Sequence, residues 1–426
     1  MAHLVLPDTQ ADPSQNQKSH FLTEHQKYRI MGRAKNEMME YEELGFSKPN
    51  ETYVCSNHFD DEAIVSFIEE VGSKISCSYC KPKYQSESVV SFDELMRFLC
   101  RGIYYFYDDA ANAGLAYETA EGGYQGEHYD TYDLIHDEIG LEVDNDKIVE
   151  QIINSLPDYY WCKKDPYTLD ENQELMYDWD YFSNLLKHKI RYTFFKTKEF
   201  DKEEYKETSD ILREIAVSID NLNLITELKN GTPLYRCRQH SMRESPRTVK
   251  ELGSPPVKFC TFSNRMSPSG ISMFYGAFDS KTSINEAYDD SKEVEKPLAT
   301  IGKFFLKKNL QVIDLTNIPE TPSLFDDDKR NLRFKTLFLK AFVADLAKNI
   351  KRDGYEHINY IPTQVVTEYF RFVLPEIAHY KIDGLIYPSS KNINGCCCVI
   401  FCDNEECEEI FELPENEIKT IEIKNR

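Results

Sequence analysis

The chain has 426 residues, 41% hydrophobic and 13% aromatic, so it can bury the cores of about two or three domains and is not an acidic disordered protein. Its 50 basic and 73 acidic side chains give a net charge of −23. A surface this negative repels phosphate backbones, which disfavours non-specific binding of nucleic acids. No apolar run approaches the ~18 residues that span a bilayer, and residues 1–10 lack a secretion signal. We therefore expect a cytoplasmic protein without a membrane partner.

The first half of the chain has the pattern of a helical domain. Residues 1–20 are polar and predict a flexible arm. From about residue 21 to residue 225, apolar residues recur at spacings of three and four, which is typical of amphipathic helices. The clearest stretches are residues 92–99, 148–156 and 181–195. The sequence predicts a mainly helical N-terminal domain over residues 21–225.

Four potential metal ligands lie close together in this half. Cys55 and His58 form one pair with a two-residue gap, Cys77 and Cys80 form another, and 18 residues separate the pairs. Two such pairs on either side of a short helix can close a tetrahedral zinc site, and a site with no open position indicates a structural metal. The alternative is that these are unrelated residues in a chain with 12 cysteines. We predict a zinc-knuckle element over residues 55–80.

The pattern changes after the turn-rich residues 230–233. Short β-branched and aromatic runs predict strands at residues 257–262, 272–277, 299–306, 311–315, 384–387, 396–402 and 418–423. Residues 332–350 and 363–373 predict helices. Strands that are grouped instead of alternating with helices indicate an α+β domain, here over residues 231–426. The consecutive cysteines at 396–398 are interpreted as part of a buried strand, because neighbouring side chains on a strand point to opposite faces.

Four segments of this domain carry the residues most informative about function. They are LYRCR at 234–238, NRMSPSGISMFYGA at 264–277, TSINEAY at 282–288 and DGLIYPSS at 383–390. Their order of Arg, Tyr, Glu and Ser resembles that of the RES domain, a family named for its Arg, Glu and Ser. The resemblance covers roughly the last 200 residues and implies a fold similar to that of the ADP-ribosyltransferases. It also implies cleavage of NAD at the bond between nicotinamide and ribose.

Within this resemblance, Arg236, Tyr275, Glu286 and Ser389 are the candidate catalytic residues. Cleavage builds positive charge on the ribose while nicotinamide leaves as a neutral group, so the site has to hold the pyrophosphate, clamp the nicotinamide and stabilise a cation. The Arg236 guanidinium suits bidentate contact with phosphate or ribose oxygens. Tyr275 would stack on nicotinamide, and Glu286 would accept hydrogen bonds from the ribose and stabilise the developing charge.

The remaining candidates are assigned to binding of the dinucleotide. Arg238 lies two residues after Arg236, hence on the same face of a strand. Arg265, in a turn-rich segment, could bind the same phosphates. Ser389 would bond to ribose or amide, with Ser390 as the alternative in register. NAD is thus expected as the substrate and zinc as a structural metal.

The N-terminal half resembles the HEPN-like domains that precede some RES domains. Those domains begin with a cysteine pattern in which Cys usually occupies the position of His58. Many HEPN proteins are ribonucleases with an Arg followed by a His four to six residues later, and residues 21–225 contain no pair in that order. Arg352 and His357 fit the spacing but lie in the C-terminal half, where we interpret the match as chance.

The combined prediction is a toxin or antiphage defence effector that consumes NAD, either as a glycohydrolase or as a phosphorylase. The acceptor stays open between water, phosphate and a protein side chain. One alternative is a mono-ADP-ribosyltransferase that modifies a protein. Another is a catalytically silent binding or sensor protein in which the helical domain is the working part. The expected partners are NAD, an antitoxin protein or a trigger, and a second copy of the chain in a homo-oligomer.

Overall fold

A computed structural model describes residues 44–47, 51–81, 88–196, 209–350, 354–375 and 381–423. The arm predicted over residues 1–20 lies outside the described residues. The chain divides into two compact units, Met1–Lys164 and Asp165–Arg426.

The N-terminal unit combines helices with three short antiparallel ribbons. Its helices are α1 (Glu62–Val71), α2 (Phe92–Phe106), α3 (Thr131–Asp133) and α4 (Asp146–Ser155), and a π-helical turn, Leu134–Glu138, follows α3. Its strands are β1 (Tyr53–Cys55), β2 (Val89–Ser91), β3 (Tyr107–Asp109), β4 (Tyr117–Glu118), β5 (Gly123–Tyr124) and β6 (Trp161–Lys163). The ribbons pair β1 with β2, β3 with β6 and β4 with β5. The helices predicted around residues 92–99 and 148–156 are confirmed.

Helix α2 illustrates how local sequence fixes an element of this unit. Ser91 accepts a hydrogen bond from the Glu94 backbone N–H, and the Glu94 side chain accepts one from the Ser91 N–H. This reciprocal capping box satisfies two N–H groups that a helix start leaves unpaired. Eight residues of α2 are buried on one face. The cap and the apolar stripe together account for a 15-residue helix.

The C-terminal unit is built on a nine-stranded mixed sheet, which confirms the α+β class. Its strands are β7 (Ile225–Leu228), β8 (Pro233–His240), β9 (Phe274–Ala277), β10 (Leu298–Leu306), β11 (Leu310–Asp314), β12 (Gly384–Pro388), β13 (Cys396–Ile400), β14 (Phe411–Glu412) and β15 (Ile418–Glu422). Their order is β14-β10-β8-β9-β13-β12-β11-β7, and β15 also pairs with β10. Strands β11 and β12 run parallel, whereas the other named pairs of the sheet are antiparallel.

Eight helices of the described residues pack around this sheet. They are α5 (Glu171–His188), α6 (Asp210–Asn221), α7 (Val249–Leu252), α8 (Ser280–Ala287), α9 (Arg333–Leu346), α10 (Glu356–Asn359), α11 (Ile361–Glu368) and α12 (Cys407–Ile410). The predicted helix at 363–373 is observed as α11 continued by a π-helical segment, Tyr369–Val373. The predicted helix at 181–195 is displaced, because α5 begins ten residues earlier and ends at His188.

Helices α5 and α6 belong to the core of the C-terminal unit. Trp179 and Phe182 of α5 and Ile215 of α6 are buried in one apolar cluster with Phe342 of α9. The Trp179 ring meets the Phe342 ring edge-on at 4.9 Å between centroids. The indole N–H of Trp179 donates a hydrogen bond to Asp345 Oδ2 at 2.8 Å. The domain boundary between residues 225 and 231 stays a prediction, but these two helices pack with the sheet that follows it.

The strand predicted at residues 257–262 is wrong. The chain forms a 3-10 turn at Val257–Phe259, directly after Pro255 and Pro256, which have no N–H to donate to a sheet. Val257, Phe259 and Phe262 are exposed instead of buried. An apolar run therefore indicated a strand where the chain forms a loop.

The cysteine-rich strand is confirmed. Residues 396–398 lie in β13, and Cys397 and Cys398 are buried on its two sides. Cys402 and Cys407 are also buried, with their sulfurs 3.6 Å apart, and the Ser254 Oγ lies 3.1 Å from the Cys407 sulfur. The hydrogen bond from Cys402 lowers the pKa of Cys407 to about 7 against the opposing effect of burial.

Candidate functional site

The two strands at the centre of the sheet separate and leave a cleft. Strand β8 pairs with β10 along its whole length, but it meets β9 at a single residue pair, Tyr235 with Ala277. Both strands line a cleft of about 1190 Å³. Because the backbone pairing between β8 and β9 stops after one residue pair, the remaining contact between the two strands is made by side chains of β8.

Arg236 on β8 spans this gap. Its Nη1 donates a hydrogen bond to the Tyr275 carbonyl on β9 at 2.6 Å, and its guanidinium carbon lies 5.5 Å from the centre of the Phe274 ring. Burial lowers the pKa of Arg236, yet an arginine stays charged because its ordinary pKa is so high. One nitrogen is thus fixed by the backbone, and the charge is held in the cleft wall.

The cleft is cationic although the whole chain is acidic. Its lining includes six basic side chains against three acidic ones. The basic residues are Arg236, Arg238, Arg265, Lys292, Lys296 and Lys391, and the acidic residues are Glu286, Asp289 and Glu356. In a protein with a net charge of −23, this reversal of sign creates a local potential that favours an anionic ligand such as a pyrophosphate.

Tyr275 presents an aromatic ring in the cleft and anchors its hydroxyl. The hydroxyl lies 2.8 Å from the buried Ser267 Oγ. Burial raises the pKa of Tyr275 well above its usual range, so the phenol is neutral. A neutral ring that is held at its polar end is suited to stacking on a flat group.

Glu286 is held by Ser389, which comes from a distant part of the chain. Glu286 lies in the last turn of α8, and its Oε1 accepts a hydrogen bond from the Ser389 hydroxyl at 2.5 Å. The same hydroxyl oxygen accepts hydrogen bonds from the N–H groups of Lys391 and Asn392 at 3.2 and 3.0 Å. The hydroxyl of Ser389 therefore uses its donor and both acceptor positions within the protein. Ser390, the alternative in register, lines the cleft directly.

The turn that carries Ser389 packs closely on the start of α8. Asp279 caps this helix by accepting from the Thr282 N–H at 2.8 Å, and Asn392 Nδ2 donates to the Thr282 hydroxyl at 2.6 Å. A Cβ at Gly395 would lie 2.5 Å from the same hydroxyl oxygen, so glycine is needed there. This packing fixes the position of the serine relative to the glutamate.

The two other predicted arginines line the cleft but are engaged by the protein. Arg238 donates to the Glu251 carbonyl at 2.9 Å and pairs with Glu244 at 3.3 Å. Arg265 donates to the carbonyls of Leu346 and Lys348 at the C-terminal end of α9. Their role in phosphate binding remains a prediction, because in this conformation their hydrogen bonds hold the walls.

The loop that carries Arg265 is anchored by α11. The Thr363 hydroxyl donates to the Arg265 carbonyl, and Gln364 Nε2 donates to the carbonyls of Asn264 and Ser267 at 2.8 and 3.3 Å. Gln364 is buried, so these bonds are made in a place where an unpaired amide would be costly. The sequence analysis gave no role to Gln364 or Ser267, since nothing local connects them with Tyr275.

The sequence analysis also missed several residues of the cleft. They are Phe259, Phe262, Lys292, Lys296, Tyr360 and Lys391. Their signal in the sequence is weak, because a single Lys or Phe in a loop has no characteristic spacing. His357 also lines the cleft, whereas Arg352, with which it was paired by spacing, lies outside the described residues.

The predicted metal ligands come together in the N-terminal unit. One ligand atom from each of Cys55, His58, Cys77 and Cys80 lies within 4.8 Å of all the others. His58 Nε2 lies 3.5 Å from the Cys77 sulfur and 3.4 Å from the Cys80 sulfur. Helix α1 lies between the two pairs in the chain, as the spacing indicated. Three sulfurs and one imidazole nitrogen fit a closed tetrahedral site for a soft divalent metal.

Asp144 supplies a second layer to this cluster that the sequence did not reveal. Its Oδ1 lies 2.6 Å from His58 Nδ1, and its backbone N–H donates to the His58 carbonyl. A carboxylate on Nδ1 orients the ring and leaves Nε2 facing the three sulfurs, which is common around protein-bound metals. Burial raises the pKa of Cys55 to about 12. Burial opposes ionisation of Cys77 too, but backbone N–H groups and His58 outweigh it and lower its pKa.

These two sites lie in different units of the chain, and comparison with protein families also gives two domains. A model of the RES domain matches residues 233–418, and a model of HEPN/RES N-terminal domain 1 matches residues 70–200. The chain therefore carries a HEPN/RES N-terminal domain followed by a RES domain, which confirms the recognition made from the sequence. A comparison with curated proteins gives no match.

The family matches and the structural units differ in two places. Cys55 and His58 precede the start of the matched N-terminal domain, and α5 falls within that match although it packs with the C-terminal sheet. RES domains are generally associated with NAD-related enzymatic activity, and together with the HEPN/RES domain this indicates a toxin-like, NAD-related effector. Within the described residues, every helix is too short or too polar to cross a bilayer.

Proposed function

We propose that this protein is a toxin or defence effector that cleaves NAD at the nicotinamide–ribose bond. The observation that carries the proposal is the cationic cleft, in which the Glu286 carboxylate is held by Ser389 and shares the lining with Arg236 and Tyr275. A carboxylate fixed by a hydroxyl is available to stabilise positive charge, and cations around it are available to bind phosphates.

Each side chain has one task in the proposed reaction. The exposed part of the Arg236 guanidinium binds a phosphate or ribose oxygen, because one of its nitrogens is already committed to the Tyr275 carbonyl. The Tyr275 ring stacks on nicotinamide and excludes water from one face of the reacting bond. Glu286 accepts hydrogen bonds from the ribose hydroxyls and stabilises the cation that develops on the sugar.

The bond changes are those of a substitution at the ribose carbon. The bond between that carbon and the nicotinamide nitrogen breaks, and its electron pair leaves with nicotinamide, which becomes neutral. Water or inorganic phosphate then forms a bond to the same carbon, and water loses a proton in doing so. No strong acid is needed for the leaving group, which agrees with the absence of a general-acid assignment among the four residues.

We propose that the N-terminal cluster holds zinc as a structural metal. Cys55, His58, Cys77 and Cys80 would supply all four ligands and leave no position for a substrate. The metal would fix the ribbon of β1 and β2 to the turn that carries Cys77. The proposed N-terminal role is control of the enzyme, through an antitoxin, a trigger or assembly of a homo-oligomer. The place of action is the cytoplasm, where NAD is abundant.

The test is nicotinamide release from NAD by the full-length protein, with and without phosphate. We expect release, and dependence on phosphate would identify phosphorolysis instead of hydrolysis. Glu286→Gln should reduce the rate about 100-fold or more, because it removes the charge that stabilises the transition state. Glu293→Gln is the matched control, since Glu293 accepts a hydrogen bond from Tyr288 and does not line the cleft.

The alternatives predict different products. A mono-ADP-ribosyltransferase would leave label from adenine-labelled NAD on a protein acceptor, and free ADP-ribose would stay low. A silent binding or sensor protein would release no nicotinamide, and Glu286→Gln would have no effect on growth when the chain is expressed. Wild-type protein that neither releases nicotinamide nor lowers cellular NAD contradicts the proposal.

A further inference from the structure

Two exposed phenylalanines line the cleft without a role in the proposed chemistry. Phe259 is 65% exposed and Phe262 is 75% exposed, and both belong to the loop where the sequence predicted a strand. One exposed apolar side chain is ordinary on a protein surface. Two aromatic rings within four residues, both on the wall of a cleft, are more typical of a surface that binds a ligand.

The loop is built to keep these rings outside the core. Its backbone is held at two points, because Ser272 Oγ donates to the Pro255 carbonyl at 2.6 Å and the Gly270 N–H donates to the Cys260 carbonyl at 2.7 Å. The second bond closes residues 260–270, which include Phe262, into a loop. The 3-10 turn between the two points closes with the bond from the Phe259 N–H to the Pro256 carbonyl. A loop tied in this way presents its aromatic rings at low entropic cost to a ligand.

Phe262 lies beside a lysine that also lines the cleft. The Lys292 ammonium lies 5.7 Å from the centre of the Phe262 ring and 2.7 Å from Asp289 Oδ2. Gln239 of β8 holds the Asp289 segment in place, since its Oε1 accepts from the Asp289 N–H at 3.1 Å. The Phe262 ring and the Lys292 ammonium group therefore form one aromatic and cationic pair in the cleft lining, called the rim below.

The segment that carries Lys292 is held to β8 at Gln239, beyond Arg236 on that strand. Gln239 is three residues beyond Arg236 on the same strand, a distance of about 10 Å at the usual rise of a strand. The nicotinamide end is assigned to Tyr275 and Glu286, and the basic side chains of the cleft lining suit the pyrophosphate. An aromatic ring beside a cation is what remains for the other end of a dinucleotide.

We infer that Phe262, with Lys292, forms the subsite for the adenine half of the substrate. This inference rests on the proposed function. The adenine ring stacks on the exposed face of Phe262, in the manner that aromatic side chains use to hold bases without reading their edges. Lys292 lies where it attracts the adjacent phosphate, and Asp289 keeps its ammonium in place.

The experiment compares NAD with nicotinamide mononucleotide, which has the same scissile bond but no adenylate. Full-length Phe262→Ala should raise the KM for NAD about tenfold and leave kcat within about twofold, because a stacked base contributes to binding and not to bond cleavage. The kcat/KM for the mononucleotide should not change. Phe262→Tyr should restore the KM for NAD, since a tyrosine ring stacks equally well.

The matched control is Phe372→Ala, an exposed phenylalanine of the same unit that does not line the cleft. It should leave both substrates unaffected. Equal loss on the two substrates in Phe262→Ala, or no change in the KM for NAD, would overturn the adenine subsite while the proposed reaction stands.

Calorimetric titration with AMP separates the remaining outcomes. Wild-type protein that binds AMP, with weaker binding in Phe262→Ala, supports the subsite even when cleavage of NAD is not observed. Wild-type protein that neither cleaves NAD nor binds AMP overturns the proposed function and the subsite together.

Discussion

The cluster of potential metal ligands in the N-terminal unit and the cleft of the C-terminal unit are assembled in different ways. The cluster takes its ligands from residues 55–80, as two pairs with the same gap, and its four ligand atoms have one shared task. The cleft takes its residues from Tyr235 to Cys397, and the side chains proposed to act there have different tasks. A short loop with repeated spacing is closed at low entropic cost, whereas the cleft exists only after nine strands have found their order.

Residues of one type behave alike within the cluster but differently within the cleft. In the cluster, the sulfurs of all three cysteines lie within 4.8 Å of one another and of the His58 ligand atom. In the cleft, Arg236 spans two strands, but Arg238 and Arg265 are engaged by Glu251 and by the end of α9. Spacing therefore predicted correctly that the four potential metal ligands lie together, but it did not predict which arginines of the cleft are engaged by the protein.

The largest expected effect tests how much of the chain the cleft requires. A chain that starts at Asp165 should fold, whereas a chain that starts at Asn230 loses α5 and α6 and should not. Trp179 and Phe182 are fully buried against the sheet-covering helices, and loss of one such side chain costs about 3–5 kcal/mol. Removal of α5 and α6 deletes several such side chains. The summed loss of stabilisation then exceeds the total stability of about 5–15 kcal/mol of a typical domain.

Thermal unfolding followed by circular dichroism measures this prediction. The chain from Asp165 is the control, because it removes the N-terminal unit and keeps the core. A cooperative transition in the chain from Asn230 would contradict the prediction and would place the independent domain where the sequence had put it.

The second prediction concerns the metal cluster alone. Full-length protein from cells supplied with zinc should contain about one zinc ion per chain, and Cys77→Ser should contain almost none, because three ligands hold the ion poorly. Elemental analysis measures the difference. Cys100→Ser is the control, since Cys100 is buried in the same unit but outside the cluster. Equal zinc in the wild type and Cys77→Ser would reject the site.

The smallest expected effect concerns the hydrogen bond between Ser389 and Glu286. Ser389→Ala should reduce kcat for NAD cleavage about tenfold with little change in KM, because a hydrogen bond to a charged group contributes about 1.5–3 kcal/mol. Steady-state kinetics measure the two constants. Ser390→Ala is the comparison, since Ser390 lines the cleft without this bond, and it should affect KM more than kcat. If Ser390→Ala lowered kcat and Ser389→Ala raised KM, Ser390 would be the serine that supports Glu286 and Ser389 the one that contributes to binding.

Much of the fold was predictable because its apolar residues follow a regular period. The helices at α2, α4 and α9 and the strands at β10 to β13 lie where hydrophobic spacing placed them. The failure at residues 257–262 has a definite cause, since an apolar run can serve a ligand as well as a core. The start of α5 was missed because polar residues fill its first turns, beginning at Glu171.

The sequence by itself indicated a helical domain followed by an α+β domain, the four potential metal ligands and the candidate set of Arg236, Tyr275, Glu286 and Ser389. These depend on residue type and on short spacing, which survive in a linear chain. Only the tertiary structure decided that Ser389 holds Glu286, that Asp144 orients His58, and that Trp179 lies in the core of the C-terminal unit. Each of these contacts joins residues more than 80 positions apart, so its existence depends on how strands and helices pack and not on any local pattern.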